Sequence, residues 1–254
     1  MRGRSLVLIA VSVAAVMLVA PSGGARDEKS HSWSYSGEHG PEHWGDLDPA
    51  FATCKTGLRQ SPIDITGAKP SDLPAMKFDY KAAPLHIINN GHSIQVNYAP
   101  GSMMMVGGAT YELRQFHFHH PSEEKVNGKG FTMVAHLVHA KADGKMAAVA
   151  VLLEEGPANP VIQTIWSHAP AKAGPEEKHA DVQINVGDLL PADRGYYTYI
   201  GSLTTPPCSE ELSWFVLKKP VTLSKEQVEA FSKLYPMNAR PIQPLKGRLI
   251  LESK

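Results

Sequence analysis

A chain of 254 residues with 43% hydrophobic and 20% charged residues can bury a sizeable core, as one large domain or two small ones. This composition excludes a disordered or fibrous protein. The 25 Lys and Arg balance the 25 Asp and Glu, which leaves no basic field for nucleic acid and no acidic tail.

The first twenty-five residues read as a signal peptide. Arg2 and Arg4 form a basic start, Leu6–Ala20 is an uncharged apolar run, and Gly23 and Ala25 are small residues near a cleavage point. The alternative is a membrane anchor, although the run is shorter than the ~20 residues of a spanning helix. Cleavage leaves one domain over residues 26–254 with no membrane segment. It would be periplasmic in a Gram-negative source and secreted otherwise. Cys54 and Cys208 are the two cysteines. In an exported chain they suggest a disulfide, with two buried thiols as the alternative.

Pro and Gly are spread along the chain and break it into short pieces, as in a strand-rich protein. The clearest strands are 85–89, 93–98, 112–119, 132–139, 147–153 and 214–217. A short helix is expected at 160–166. A second starts at Ser224, with Gln227 completing a capping box, and runs to about Leu234. The expected fold is mainly β with a few peripheral helices (α+β), a single domain around a large, mostly antiparallel sheet.

Gln115-Phe116-His117-Phe118-His119 alternates strictly. Successive side chains of a strand face opposite ways, so Gln115, His117 and His119 share one face and the phenylalanines anchor the other. His136 follows in Ala135-His136-Leu137-Val138-His139, and Asn127-Gly128 between the two segments is a hairpin signal. An ideal hairpin about that turn sets His136 opposite His119, although Pro121 makes the connection irregular. Three imidazoles with one open position are the donor set of a catalytic zinc site. The alternative is three histidines on a partly buried sheet.

These segments resemble the α-class carbonic anhydrases, and specifically their bacterial secreted branch. The resemblance is carried by Gln115–His119, Ala135–His139 and Gly201-Ser202-Leu203-Thr204-Thr205-Pro206-Pro207-Cys208-Ser209-Glu210. Further matches are Ser32–Tyr35, Gly40–Trp44, Arg59–Ile65, Asn89–His92 and Asn238–Pro244. Together they span about Trp33 to Leu251.

The resemblance implies reversible hydration of carbon dioxide to bicarbonate and a proton. Zinc-bound hydroxide attacks CO2, and a proton is then shuttled to buffer. Carbonic anhydrase is the reference case for a metal that acidifies its bound water. One Zn2+ per chain is implied, with His117, His119 and His136 as ligands. Thr204 is implied to orient the hydroxide while donating to Glu123, and Thr205 to hold bicarbonate. His92 is implied as proton shuttle, with Tyr35, Asn90 and Gln95 ordering the waters between.

Val138, Leu203, Leu212 and Trp214 are implied to form an apolar wall for CO2, widened near Ala147, where relatives carry a larger aliphatic residue. Gln115 fits as acceptor for His117. Relatives commonly carry Glu two residues before the third ligand, but this chain has Val134, which cannot accept a hydrogen bond. Weaker zinc retention is the expectation unless another group replaces that Glu. A disulfide between Cys54 and Cys208 would tie down the Thr204 loop.

The resemblance also implies a possible side activity on esters and leaves a homodimer open. The rival readings are a binding module that lost its metal and a zinc hydrolase for larger esters or phosphates.

Overall fold

A computed structural model of the protein describes residues 32–254. The segment assigned to a signal peptide, 1–25, lies outside the described residues. Among them, no helix is long and apolar enough to cross a membrane.

The described chain folds around a thirteen-stranded sheet. Its central strands lie side by side in the order Ala83–Asn89, Ile94–Asn97, Ala109–His119, Met133–Ala140, Met146–Glu155, Glu210–Leu217 and Tyr196–Ser202. Most pairings are antiparallel, whereas Met146–Glu155 runs parallel to Glu210–Leu217. All six strands expected from sequence are present. Tyr196–Ser202 and Glu177–Ile184 were not anticipated. The second is a polar edge strand whose one fully buried residue is Ile184, so it carries no alternating apolar signal.

Side-chain alternation splits the sheet into two faces. One holds the large core, with Leu85, Ile87, Phe116, Phe118, Leu137 and Val149 among its residues. The other holds a smaller cluster around Ile63, Val134, Ala148, Leu152, Leu212 and Trp214. The helices Pro160–Trp166 and Lys225–Ser232 cover the large core. Asn159 caps the first, accepting from the Val161 and Ile162 N–H groups. Ser224 and Gln227 form the expected capping box of the second, which ends at Ser232, short of Leu234. Trp166 packs edge-on against Phe118 at 4.7 Å and beside Phe231 at 5.3 Å. The strand bearing His117 and His119 is thus anchored from behind by the phenylalanine between them.

The expected hairpin register is corrected. Asn127 and Gly128 adopt positive φ, as that turn requires, and Val126 bridges Lys129. The ladder goes no further, because Lys125-Val126 instead pairs in parallel with Asp64-Ile65. The main strands rejoin with His136 opposite His117, and His119 opposite Val134. The offset is two residues. A shift by an even number keeps every side chain on its face, so the three histidines still converge.

Cys54 and Cys208 form a disulfide that closes a separation of 154 residues. Loop-closure entropy for a bridge of that span corresponds to about 4–5 kcal/mol. The bridge packs with Trp33, Tyr35 and Trp44, and so binds the N-terminal aromatic segment to the loop that carries Thr204. That loop is closed by Leu203 N–H donating to Ser209 O at 2.9 Å and Cys208 N–H to Thr205 O at 2.8 Å.

Candidate metal centre

His117 and His119 sit two apart on Ala109–His119, and His136 lies on the adjacent Met133–Ala140 strand. One nitrogen of each lies within 4.8 Å of the others. His119 and His136 are buried and His117 is half-buried. His139, on the same strand as His136 but the other face, instead meets the Tyr80 hydroxyl at 2.6 Å.

The second nitrogen of each ring is held by a fixed acceptor. His117 Nδ1 donates to Gln115 Oε1 at 2.8 Å, as expected from their shared face. His119 Nδ1 donates to the Asn238 backbone carbonyl at 2.7 Å. His136 Nε2 donates to Glu124 Oε1 at 2.8 Å. A carbonyl or carboxylate only accepts, so these contacts set the tautomers and turn an unprotonated nitrogen of each ring inward. His119 Nε2 is buried without a hydrogen-bond partner among the described residues. An orphaned lone pair beside two other imidazole nitrogens fits a Lewis-acidic cation, and the all-nitrogen donor set with an open side fits zinc.

Glu124 is the replacement group that the Val134 reading left open. Val134 is fully buried in the apolar cluster and does leave the strand without an acceptor. The acceptor comes instead from the connecting loop, so His136 has a carboxylate partner after all. Nothing in the spacing of Glu124 reports that a loop residue twelve positions away folds back onto His136.

Electrostatics sharpen the set. Burial, then the neighbouring His136, lowers the pKa of His117 to about 3. Burial and the two neighbouring imidazoles hold His119 well below its usual range. Both rings are therefore neutral, as metal ligands must be. Burial also works against charge on His136, but Glu124 and then Glu123 outweigh it and raise its pKa.

Glu123 lies fully buried across the ligand atoms, with Oε2 3.5 Å from His119 Nε2 and 3.8 Å from His136 Nδ1. Burial pushes its pKa up to about 7, against the pull of His136, of the Thr204 side chain and of the Arg240 backbone N–H. That N–H donates to Oε1 at 2.8 Å. Thr204 is buried beside this carboxyl, and Thr205 faces the cavity next to His119.

The cavity that reaches His117 and His119 is about 120 Å³ and is also lined by Trp33, Tyr35, Asn90, His92 and Gln95. The residues expected to form a proton path therefore share one space with His117 and His119. His92 stacks flat on Trp33, with ring centroids 3.6 Å apart. Its backbone N–H donates to Asn90 Oδ1 at 2.9 Å, and burial lowers its pKa from 6.5. Gln95 accepts from Asn90 Nδ2 at 3.3 Å and donates to Asn97 at 2.7 Å.

The expected apolar wall lies on the ligand face, outside the lining of that cavity. Trp214 packs edge-on to the His136 ring at 4.8 Å, and Leu212 and Leu203 pack in its cluster. Val138 pairs with Ala148, and Ala148 with Trp214. Ala147 faces the large core. The smaller residue on the wall is therefore Ala148, one position from the expected place and on the opposite face.

Two residues of the Asn238–Pro244 segment brace the site. Asn238 is fully buried and ties four points together. Its carbonyl holds His119, its Oδ1 accepts from His120 N–H, and its Nδ2 donates to Phe118 O and His92 O. Arg240 is the second, with its guanidinium over Trp44 at 5.5 Å. Only folding brings this distant segment against the ligand strand.

Comparisons with known proteins agree with this geometry. The family model described as eukaryotic-type carbonic anhydrase matches residues 39–254. A carbonic anhydrase of Nostoc sp. is 44% identical over 230 residues, covering 89% of this chain and 87% of its own. One from Pectobacterium carotovorum is 43% identical over 244 residues, covering 95% and 98%. Among solved structures, a hyperthermostable carbonic anhydrase from a hydrothermal vent chimney superposes with a TM-score of 0.85 at 47% identity, covering 88% of this chain and all of that one. The chain is thus a member of the α-class, eukaryotic-type carbonic anhydrase family, and an enzyme of that activity.

Proposed function

We propose that the enzyme hydrates carbon dioxide reversibly at a zinc ion held by His117 Nε2, His119 Nε2 and His136 Nδ1. The observation that carries this reading is the trio of inward imidazole nitrogens within 4.8 Å, each ring locked from behind by its own acceptor. A zinc ion there supplies a Lewis acid that makes a coordinated water nucleophilic near neutral pH. The chain supplies orientation, an apolar berth and a proton path.

Orientation falls to Thr204. A hydroxyl has one proton, and giving it to Glu123 leaves only lone pairs facing the reacting oxygen. Thr204 could then only accept a hydrogen from the reacting oxygen, which would leave a lone pair of that oxygen facing the substrate carbon. Carbon dioxide offers little to hydrogen-bond, so its berth is the apolar flank of Val138, Leu203, Leu212 and Trp214, with Ala148 leaving extra width. Thr205 is placed to hydrogen-bond bicarbonate. The same nucleophile gives a side activity on small activated esters, while the tight flank disfavours large ones.

The proton leaves through the 120 Å³ cavity, which is large enough to hold several waters. Tyr35, Asn90 and Gln95 offer polar atoms to order them, and His92 receives the proton at the far end. Its pKa is lowered, so His92 is neutral at pH 7 and ready to accept. His92→Ala is expected to lower kcat in dilute buffer on the order of 10²-fold, the low end of acid–base contributions. Its kcat/KM is unchanged, because proton release follows the chemical step, and imidazole buffer restores kcat. The inflection that His92 contributes lies below 6.5, with kcat falling as pH drops through it. Stopped-flow hydration in graded buffer checks this, and a buffer-independent loss of kcat/KM would assign His92 elsewhere. The disulfide supports an oxidising location, periplasmic or secreted.

A further inference from the structure

We propose that Glu124 is the residue that positions His136 as a metal ligand, a role that Val134, on the same strand as His136, cannot fill. The inference rests on the metal-centre reading above.

Position 134 is a valine opposite His119, set among Ile63, Ile65, Ala148 and Ala150. The valine side chain itself cannot accept a proton from an imidazole. His136 Nε2 nevertheless meets Glu124 Oε1 at 2.8 Å, with the His136 side chain 2% exposed and that of Glu124 fully buried. No other acceptor meets that nitrogen among the described hydrogen bonds. A charge-assisted bond in an interior is both shorter and stronger than a neutral one. It fixes the ring plane and keeps the proton on Nε2, so that Nδ1 stays free for the metal.

The Glu124 backbone is braced for this. Ser122 Oγ donates to Glu124 O at 2.8 Å and accepts from Phe131 N–H at 3.0 Å. The next residue, Lys125, enters the parallel pairing with Asp64. The carboxylate is therefore delivered from a pinned loop rather than from the strand. One consequence is economy of position. Consecutive residues of this loop, Glu123 and Glu124, reach the Thr204 hydroxyl and the third ligand, so a single segment aligns both the reacting oxygen and the metal.

The test measures zinc loss from the purified holoenzyme into excess chelator for the wild type, Glu124→Gln, Glu124→Ala, Val134→Glu and the double variant Glu124→Ala/Val134→Glu. The visible spectrum of each cobalt(II)-substituted form is recorded as an independent report on ligand geometry. Glu124→Ala is expected to lose zinc roughly 10–100-fold faster, the range for a lost outer partner, with an altered cobalt spectrum. Glu124→Gln, which keeps the shape and loses the charge, falls between. The double variant regains most of the retention, because the carboxylate is returned to the strand.

Val134→Glu alone retains zinc no better than the wild type, since His136 has one Nε2–H to give. Zinc loss at the wild-type rate from both Glu124 variants, even with lowered melting temperatures, reduces Glu124 to a packing role and overturns the proposal. A wild type that binds no zinc overturns the metal-centre reading itself, so the two failures are distinguishable.

Discussion

Thr204→Ala lowers kcat/KM for carbon dioxide hydration by about 10²-fold, the cost of losing alignment of a reacting atom, while zinc content stays at the wild-type level. Thr204 is 5% exposed and its side chain acts on Glu123, a carboxyl already fixed by the Arg240 backbone N–H. On the proposed reading, deleting the hydroxyl removes an acceptor that orients the attacking oxygen. No imidazole and none of their acceptors is touched, which is why metal binding survives. Thr204→Ser keeps the hydroxyl and most of the rate. Stopped-flow hydration with a parallel zinc assay measures both quantities. Hydration by Thr204→Ala within twofold of wild type would remove Thr204 from the mechanism.

Arg240→Ala is expected to cost several kcal/mol of stability without touching the metal position. Arg240 is 2% exposed. Its Nη1 donates to Gln60 Oε1 at 2.9 Å and Ser61 O at 2.8 Å, and its Nη2 to Cys54 O at 3.0 Å. Burial lowers its pKa to about 10, still far above neutrality, so the guanidinium is charged. Removing it strands three buried acceptors beside the Glu123 carboxyl. Breaking a buried charged network of this kind costs about 3–5 kcal/mol. For a domain of this size, each kcal/mol moves the melting temperature by roughly 2–4 °C. A drop on the order of 10 °C is therefore expected in a thermal melt. A shift within 2 °C would mean that water replaces the guanidinium at little cost.

Period-2 patterning made much of this molecule legible beforehand. Gln115 to His119 carried both the ligand pair and its anchor, because strand alternation is local and strict. The Asn127-Gly128 turn was read correctly, yet the register built on it was two residues out. The pairing of Lys125-Val126 with Asp64-Ile65 depends on a segment some sixty residues earlier, and no local rule reports it.

Parity errors have a sharper price on a sheet. Reading the wide spot at Ala147 instead of Ala148 moved it through the sheet to the other core. Asn238, Arg240 and Glu124 were hidden for one reason. Each acts through a contact made by folding, between a polar side chain or carbonyl in a loop and a partner that sequence spacing cannot pair with it. The missing Glu at position 134 was visible as a departure, but its replacement was not.

The central claim is that three histidines form a catalytic zinc site. The direct test is zinc stoichiometry together with carbon dioxide hydration for the wild type and His119→Ala. The wild type is expected to hold one zinc per chain and to hydrate carbon dioxide rapidly. His119→Ala, which deletes a nitrogen buried without a hydrogen-bond partner among the described residues, is expected to lose both. Full hydration activity in His119→Ala, or an active wild type that holds no zinc, would contradict the claim.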